Sequence, residues 1–329
     1  MNKKTLKFVA ILAIAVILGV TAYTNFHSVK NSDVEISNSP VSVGNSTVTI
    51  NNSTITFGEN KTFTNYPSPS PSSTPTPTPL TPTPRASSNQ PQDLQHAVTK
   101  AIDFFWGSPP PYFLLMLDVM HRRFGIAEFA DALQRYDQAL AENPQQAPLL
   151  RVFRRIADHD NPLQAGDLQA VTDDISRVTV PALYCDRLGL PADYPAMLVR
   201  AGNRGDYMLT HALLACIWIQ DNGCEVPLPD DFIEDMYRAN AALINDGPGM
   251  TDLKIEAAAF LYLAGQGALV DDAFVGCVIA LQNDDGGWSP SSDTPGASDW
   301  HTTTLALLLL LHVEFPADSY PPMLAPASP

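Results

Sequence analysis

Between Pro67 and Pro84 the chain reads PSPSPSSTPTPTPLTPTP, eight prolines in eighteen residues. Proline has no amide hydrogen and a fixed φ, so neither a helix nor a sheet ladder crosses such a stretch, and polyproline II is the conformation left to it. The 329-residue chain is therefore divided, with separate structure on either side of residues 67–92. At about 3.1 Å per residue the proline run spans on the order of 55 Å, the reach of a stiff spacer.

Before the spacer lie two segments. Residues 1–25 open with Lys3, Lys4 and Lys7 and continue as an uncharged apolar run from Phe8 to Tyr23. That pattern is a membrane-targeting segment, either a retained anchor or a signal peptide with Val20-Thr21-Ala22 as its small-residue cleavage site. In both cases the lysines stay in the cytoplasm and the rest is exported, so the expectation is a membrane-anchored extracytoplasmic domain or a secreted one. Residues 26–66 are rich in Asn, Ser and Thr and alternate around Val48, Ile50, Ile55 and Phe57, which permits a short hairpin. Asn45, Asn51, Asn52 and Asn60 each open an N-x-S/T sequon, candidate glycosylation sites on an exported stalk.

After the spacer, residues 93–329 carry 13 basic and 32 acidic residues, a net charge of −19. An acidic domain does not suit a polyanionic nucleic acid, which rewards a basic surface. Apolar residues recur at helical spacing from about residue 94 to residue 313, broken by turn signals such as Asn143-Pro144, Gly223 and Gly247-Pro248-Gly249, and no strand pattern interrupts them. The domain reads as all-α. Four cysteines without a C-x-x-C pair exclude a disulfide-dense scaffold. Cys216 and Cys277 fall in apolar helical registers and read as buried small hydrophobes, whereas Cys185 and Cys224 lie beside turn signals and are the expected disulfide.

Three helices repeat at a shift of 45 residues: YMLTHALLACIWI from Tyr207, DLKIEAAAFLYL from Asp252 and SDWHTTTLALLLLL from Ser298. In that register His211, Glu256 and His301 coincide, and apolar residues follow four and seven places later. More polar, acid-led helices start near Asp230 and Asp271 between them. Apolar helices alternating with amphipathic ones are what concentric helical layers require, the inner helix being surrounded by protein.

The last repeat adds Gln282, Gly286 and Trp288. This spacing resembles the repeat of the terpenoid cyclase and protein prenyltransferase α/α-toroid superfamily, and the similarity runs over about residues 205–315. At one hairpin per 45 residues the domain has room for about five, so the resemblance implies an incomplete α/α toroid with a central cavity. It also says what is missing. No D-x-D-D acid of the cyclases occurs, and Asp230-Asp231 with Glu234 sits at a helix start, where acids favour the macrodipole. Trp300-His301-Thr302 is similar to the prenyltransferase context of a zinc-binding histidine, but the partner Asp-x-Cys is absent.

The repeat register itself supplies a candidate site. Equivalent positions on consecutive inner helices converge on a common centre, so His211, Glu256 and His301 are expected to meet there. Two imidazoles and a carboxylate suit acid–base work or a divalent metal such as zinc, with Asp252 and Asp299 as supporting partners. Other patterns lead nowhere: Gly296-Ala297-Ser298 lacks the last glycine of a nucleophile elbow, so Ser298 reads as a helix cap, and His121, His159 and His312 read as surface or capping residues. Three functions fit such a chain: a surface domain binding a lipid, glycan or peptide, an enzyme acting on an isoprenoid or polysaccharide, and a structural envelope protein.

Overall fold

The computed structural model describes residues 47–50, 53–56, 90–293 and 296–327. The targeting segment over 1–25, the proline run and the sequons Asn45, Asn51, Asn52 and Asn60 lie outside the described residues. In the first of two units, strands β1 (Thr47–Ile50) and β2 (Ser53–Thr56) pair antiparallel, Thr47 opposite Thr56 and Ile50 opposite Ser53.

The second unit is all-helical: residues 90–327 hold twelve α-helices, three 3-10 turns and no strand among the described residues. The helices are α1 (Gln90–Phe104), α2 (Pro111–Phe124), α3 (Ala132–Glu142), α4 (Ala147–Arg154), α5 (Asp174–Leu183), α6 (Cys185–Leu188), α7 (Tyr194–Arg204), α8 (Asp206–Asp221), α9 (Phe232–Ile244), α10 (Asp252–Leu263), α11 (Asp272–Ala280) and α12 (Trp300–Glu314). The helical periodicity is split over residues 167–178, because the Asp173 carboxylate captures the Ser176 amide at 2.8 Å and starts α5 afresh behind a 3-10 turn at Asp167–Ala170.

Burial follows the apolar pattern. In α12 every residue from His301 to His312 is buried, and α8 and α10 are nearly as enclosed, so these helices have protein on all sides. α5 packs on α8, α8 on α10, α10 on α12, and α12 on both α1 and α2. Helices α7 and α9, each with a wet face, cover α8, and α9 also covers α10.

The turn before α12 shows how the Gln-Gly-Trp spacing works. Gly286 adopts φ +90°, and a Cβ there would stand 2.1 Å from the carbonyl oxygen of Lys100 in α1, so only glycine fits. Gln282 Nε2 donates to the carbonyls of Gly286 and Ala97, both at 2.9 Å, which ties the turn to α1. Trp288, 1% exposed, donates its indole N–H to Val278 O at 2.7 Å, and its amide donates to Thr303 Oγ1 in α12 at 3.0 Å.

Two cysteine expectations change. A disulfide joins Cys185 at the start of α6 to Cys224 after α8, but Cys216 is only half-buried and Cys277 is exposed on the outer side of α11. Helix α11 is apolar on both faces, so its sequence register could not show which face meets solvent.

Candidate polar site at the N-terminal ends of three helices

α8, α10 and α12 begin side by side, each with acids at its start. Asp206 accepts from the Met208 amide at 2.9 Å, Thr251 caps α10, and Asp299 accepts from the amides of His301 at 2.9 Å and Thr302 at 3.1 Å. Such acceptors satisfy the orphan amides of a first turn and complement its positive dipole. The side chains one turn further in then face one another.

Glu256 of α10 lies at the centre. His211 Nδ1 is 3.3 Å from Glu256 Oε1, and His301 Nε2 is 3.2 Å from Glu256 Oε2. Thr210 of α8 also donates its hydroxyl to Glu256 Oε1. On the other side of His301, Nδ1 stands 3.0 Å from both oxygens of Asp252, which further accepts from Thr302 Oγ1 at 2.6 Å and from the Tyr207 hydroxyl at 2.8 Å. The order Tyr207, Asp252, His301, Glu256, His211 is thus one continuous chain of polar contacts across three helices.

The 45-residue register brought these groups together. Tyr207 and Asp252 are equivalent positions, as are His211, Glu256 and His301, and equivalent residues of neighbouring helices touch. Sequence reasoning missed Tyr207, Thr210 and Thr302. Tyr207 shares the register of Asp252 and was findable by that signal, whereas threonine hydroxyls carry none. Asp299 does not reach the imidazoles and serves as the N-cap of α12, the role expected of Ser298; Ser298 Oγ instead donates to Asp285 Oδ1 at 2.6 Å.

Protonation follows from the geometry. Burial alone would push the Glu256 carboxyl up, but His211, with His301 behind it, outweighs burial and holds it down to about 2. Burial disfavours charge on His301 as well, yet Asp252 and then Glu256 hold its imidazolium well above the ordinary histidine value. His211 Nδ1 lies 2.8 Å from the carbonyl oxygen of Tyr207, which can only accept, so that nitrogen carries a hydrogen. His211 Nε2 is buried with no hydrogen-bond partner, and Glu256 Oε2 meets His301 by charge without a directed hydrogen bond.

The cluster is enclosed. Side-chain exposure is 0% for His211 and Glu256, 6% for Asp252 and 10% for His301, so only the outermost imidazole and its carboxylate approach solvent. Two clefts lie elsewhere: one of about 590 Å³ between α8 and α9, beside Cys216 and Tyr237, and one of about 470 Å³ around Cys185, Pro191 and Cys224. Neither is lined by a member of the cluster. Asp252, Glu256 and His301 nonetheless offer one ligand atom each within 4.8 Å of one another, a spacing a divalent ion can bridge.

No family model matches this chain, nor does any curated protein or solved structure. The likeness to the α/α-toroid superfamily therefore stands on Gln282, Gly286, Trp288 and the repeat register alone.

Proposed function

We propose that the chain is an exported protein, membrane-anchored or secreted, that presents an incomplete α/α toroid of about five hairpins on its proline-rich spacer and works by binding a lipid, glycan or peptide. In this reading the His211, Glu256 and His301 cluster is an internal frame. The supporting observation is that the two members nearest solvent, His301 and Asp252, spend their groups on the cluster itself. Both nitrogens of His301 face carboxylates, and Asp252 takes donors from three side chains. A general acid or base needs a free face within hydrogen-bond reach of a substrate, and these groups present little.

The second reading, a divalent metal site for an enzyme, is favoured by the three ligand atoms within 4.8 Å. Two carboxylates and an imidazole are a donor set that fits zinc, with Asp252, Glu256 and His301 holding the ion and His211 behind Glu256. The same atoms are ligands in one reading and partners of each other in the other, so one measurement separates them. Elemental analysis of the purified chain after dialysis against zinc is expected to find no stoichiometric ion. One ion per chain, lost in Glu256→Gln, establishes the metal reading instead. Protease added to intact cells tests the display: it is expected to release the acidic domain by cutting before residue 93, and protection until lysis overturns it.

A further inference from the structure

The net charge of the acidic domain is not shared evenly. Residues 93–204 carry 14 acidic residues against 11 basic ones, whereas residues 205–329 carry 18 against Arg238 and Lys254 alone. Both of those bases are already engaged: Arg238 pairs with Asp235, and the buried Lys254 donates to the carbonyls of Gly247 and Gly249, each at 2.8 Å. The larger cleft, of about 590 Å³, opens in this half of the domain, between α8 and α9.

No charged side chain lines that cleft. Its apolar lining comes from Leu213 and Ile217 of α8, Ile233 of α9, and Val226 and Leu228 of the loop that joins them. The volume is that of a site for a small organic molecule. The walls are held in place. Cys224 is bonded to Cys185 and its amide donates to Ile219 O at 2.9 Å, while Phe232 of α9 packs so closely on α7 that a Cβ on Gly202 would stand 2.7 Å from its ring. A cleft braced in this way is formed before a ligand arrives, which lowers the cost of binding.

The polar part of the lining selects the sign of charge. Gln220 lies in the last turn of α8, Gly223 just beyond it, and Ala264 is the C-cap of α10, so two helices end with their carbonyls at the cleft. Those ends carry the negative pole of the helix dipole. The exposed Glu225, Asp230 and Glu234 adjoin lining residues in sequence, and Glu234 is close enough to Tyr237 to oppose its ionisation. Burial keeps the Tyr237 phenol neutral and pushes the Cys216 thiol up to about 12, so neither adds a charge of its own. Carbonyl ends, acids and an aromatic ring favour a cation, and an ammonium over an aromatic face is a recurring form of that recognition. An anionic head group meets repulsion at the same place and finds no base in the lining.

We propose that the cleft between α8 and α9 binds a single-chain amphiphilic cation, an ammonium whose hydrocarbon chain lies against Leu213, Ile217 and Ile233 and whose head meets Tyr237 and the carbonyl ends of α8 and α10. This narrows the lipid arm of the binding reading to one chemical class, and it rests on that reading. A phosphocholine head is disfavoured, because its phosphate brings a negative charge to the acidic rim.

The test titrates hexyltrimethylammonium, heptanol and heptanoate, three short apolar chains that differ in charge, into the full chain by calorimetry at neutral pH. The cation is expected to bind saturably at one site, heptanol about tenfold more weakly, and heptanoate not at all. At ten times its Kd the cation fills about nine sites in ten, so alkylation of Cys216 by N-ethylmaleimide is expected to slow about tenfold while that of the exposed Cys277 is unaltered, as read by peptide mass spectrometry. Tyr237→Leu is expected to weaken the cation about tenfold and heptanol less than about twofold, a split that loss of fold does not produce. Equal affinity for cation and heptanol, binding of heptanoate, or an unprotected Cys216 overturns the proposal, and all three are read on the unsubstituted chain whether or not the variant folds. Binding to phosphatidylcholine vesicles without binding of the free cation also overturns it but keeps the wider binding reading, as does capture of a glycan or peptide by a chain that ignores the cation.

Discussion

The two ends of α8, α10 and α12 are closed by opposite means. At the N-terminal end the closure is ionic: Glu256 and Asp252 hold His301 charged between them. At the C-terminal end it is a length of chain, with Met323 against Trp218 and arginines capping carbonyls, and the histidine there, His312, is kept neutral. Helix polarity accounts for part of the difference. Amide ends favour acids and carbonyl ends favour Arg and Lys, so Asp206, Asp252 and Asp299 gather at one end and Arg122 and Arg123 at the other. The rest lies in where the closing groups come from: helix side chains at one end, a returning stretch of chain at the other.

The largest effect expected from breaking this contrast is at the ionic end. Glu256→Ala leaves the buried His211 without a carboxylate and His301 with Asp252 alone, and removing one partner of a buried ion pair costs about 3–5 kcal/mol. Urea denaturation of the full chain measures it. A loss below about 1 kcal/mol, within the range of exposed pairs, would mean that the ionic end does not hold the helices together.

The tail end has a covalent brace that the ionic end lacks. The Cys185–Cys224 bridge, 39 residues apart in sequence, ties α6 to the loop after α8, close to Asp221 and Asn222. Cys185→Ser with Cys224→Ser is expected to cost about 3 kcal/mol, mostly by freeing the unfolded chain. The same substitution is expected to leave the N-terminal cluster in place, which the response to pH can show.

That response sets the two ends apart most directly. His301 has its folded pKa raised, so its contribution is complete below the unfolded value of 6.5 and is lost as pH rises through the folded one. His312 is the reverse: burial first, with Arg123 beside it, lowers it to about 3, so its contribution is present above 6.5 and lost as pH falls from 6.5 towards 3. Glu256, lowered from 4.5 to about 2, adds a loss below 4.5. Stability measured by urea at a series of pH values should fall on both sides of neutrality, by no more than about 1.4 kcal/mol per pH unit for each group. His301→Gln should flatten the alkaline limb and, through Glu256, the acid limb only below 4.5, whereas His312→Gln should flatten the acid limb between 6.5 and 4.5. If each substitution moved the other's limb, the two ends would be coupled and the contrast between them lost.

How much of this was legible in the sequence differs between the ends in the same way. The 45-residue register placed His211, Glu256 and His301 at equivalent points of three apolar helices, and that repeat is the physical cause of their meeting. The hydroxyls that complete the cluster, those of Tyr207, Thr210 and Thr302, were not read from the sequence. His312, expected at the surface or as a cap, is 2% exposed. Eleven residues turn a helix to within about 20° of its starting face, so the spacing from His301 already placed His312 on the inward side. The tail carries no periodicity at all. Pro-Pro-Met-Leu-Ala-Pro reads as a loop, and only folded helix ends turn Met323 into an anchor.

The smallest expected effect distinguishes two aspartates that the sequence grouped together. Asp299 accepts from the His301 and Thr302 amides and so caps α12, whereas Asp252 touches the His301 ring itself. Losing a cap of this kind costs about 1 kcal/mol, because one or two first-turn amides must turn to water instead. Asp299→Ala should therefore lower stability by about that amount at every pH, with the alkaline limb of His301 unmoved. Asp252→Asn removes the charge that does most to raise His301, so its alkaline limb should start nearer pH 6.5 than in the unsubstituted chain. Titration of the His301 ring by NMR in both variants gives the same answer without denaturant. An Asp299→Ala chain whose His301 titrates like that of Asp252→Asn would place Asp299 within the ionic chain, and the N-terminal end would then be held by one more charge than its geometry shows.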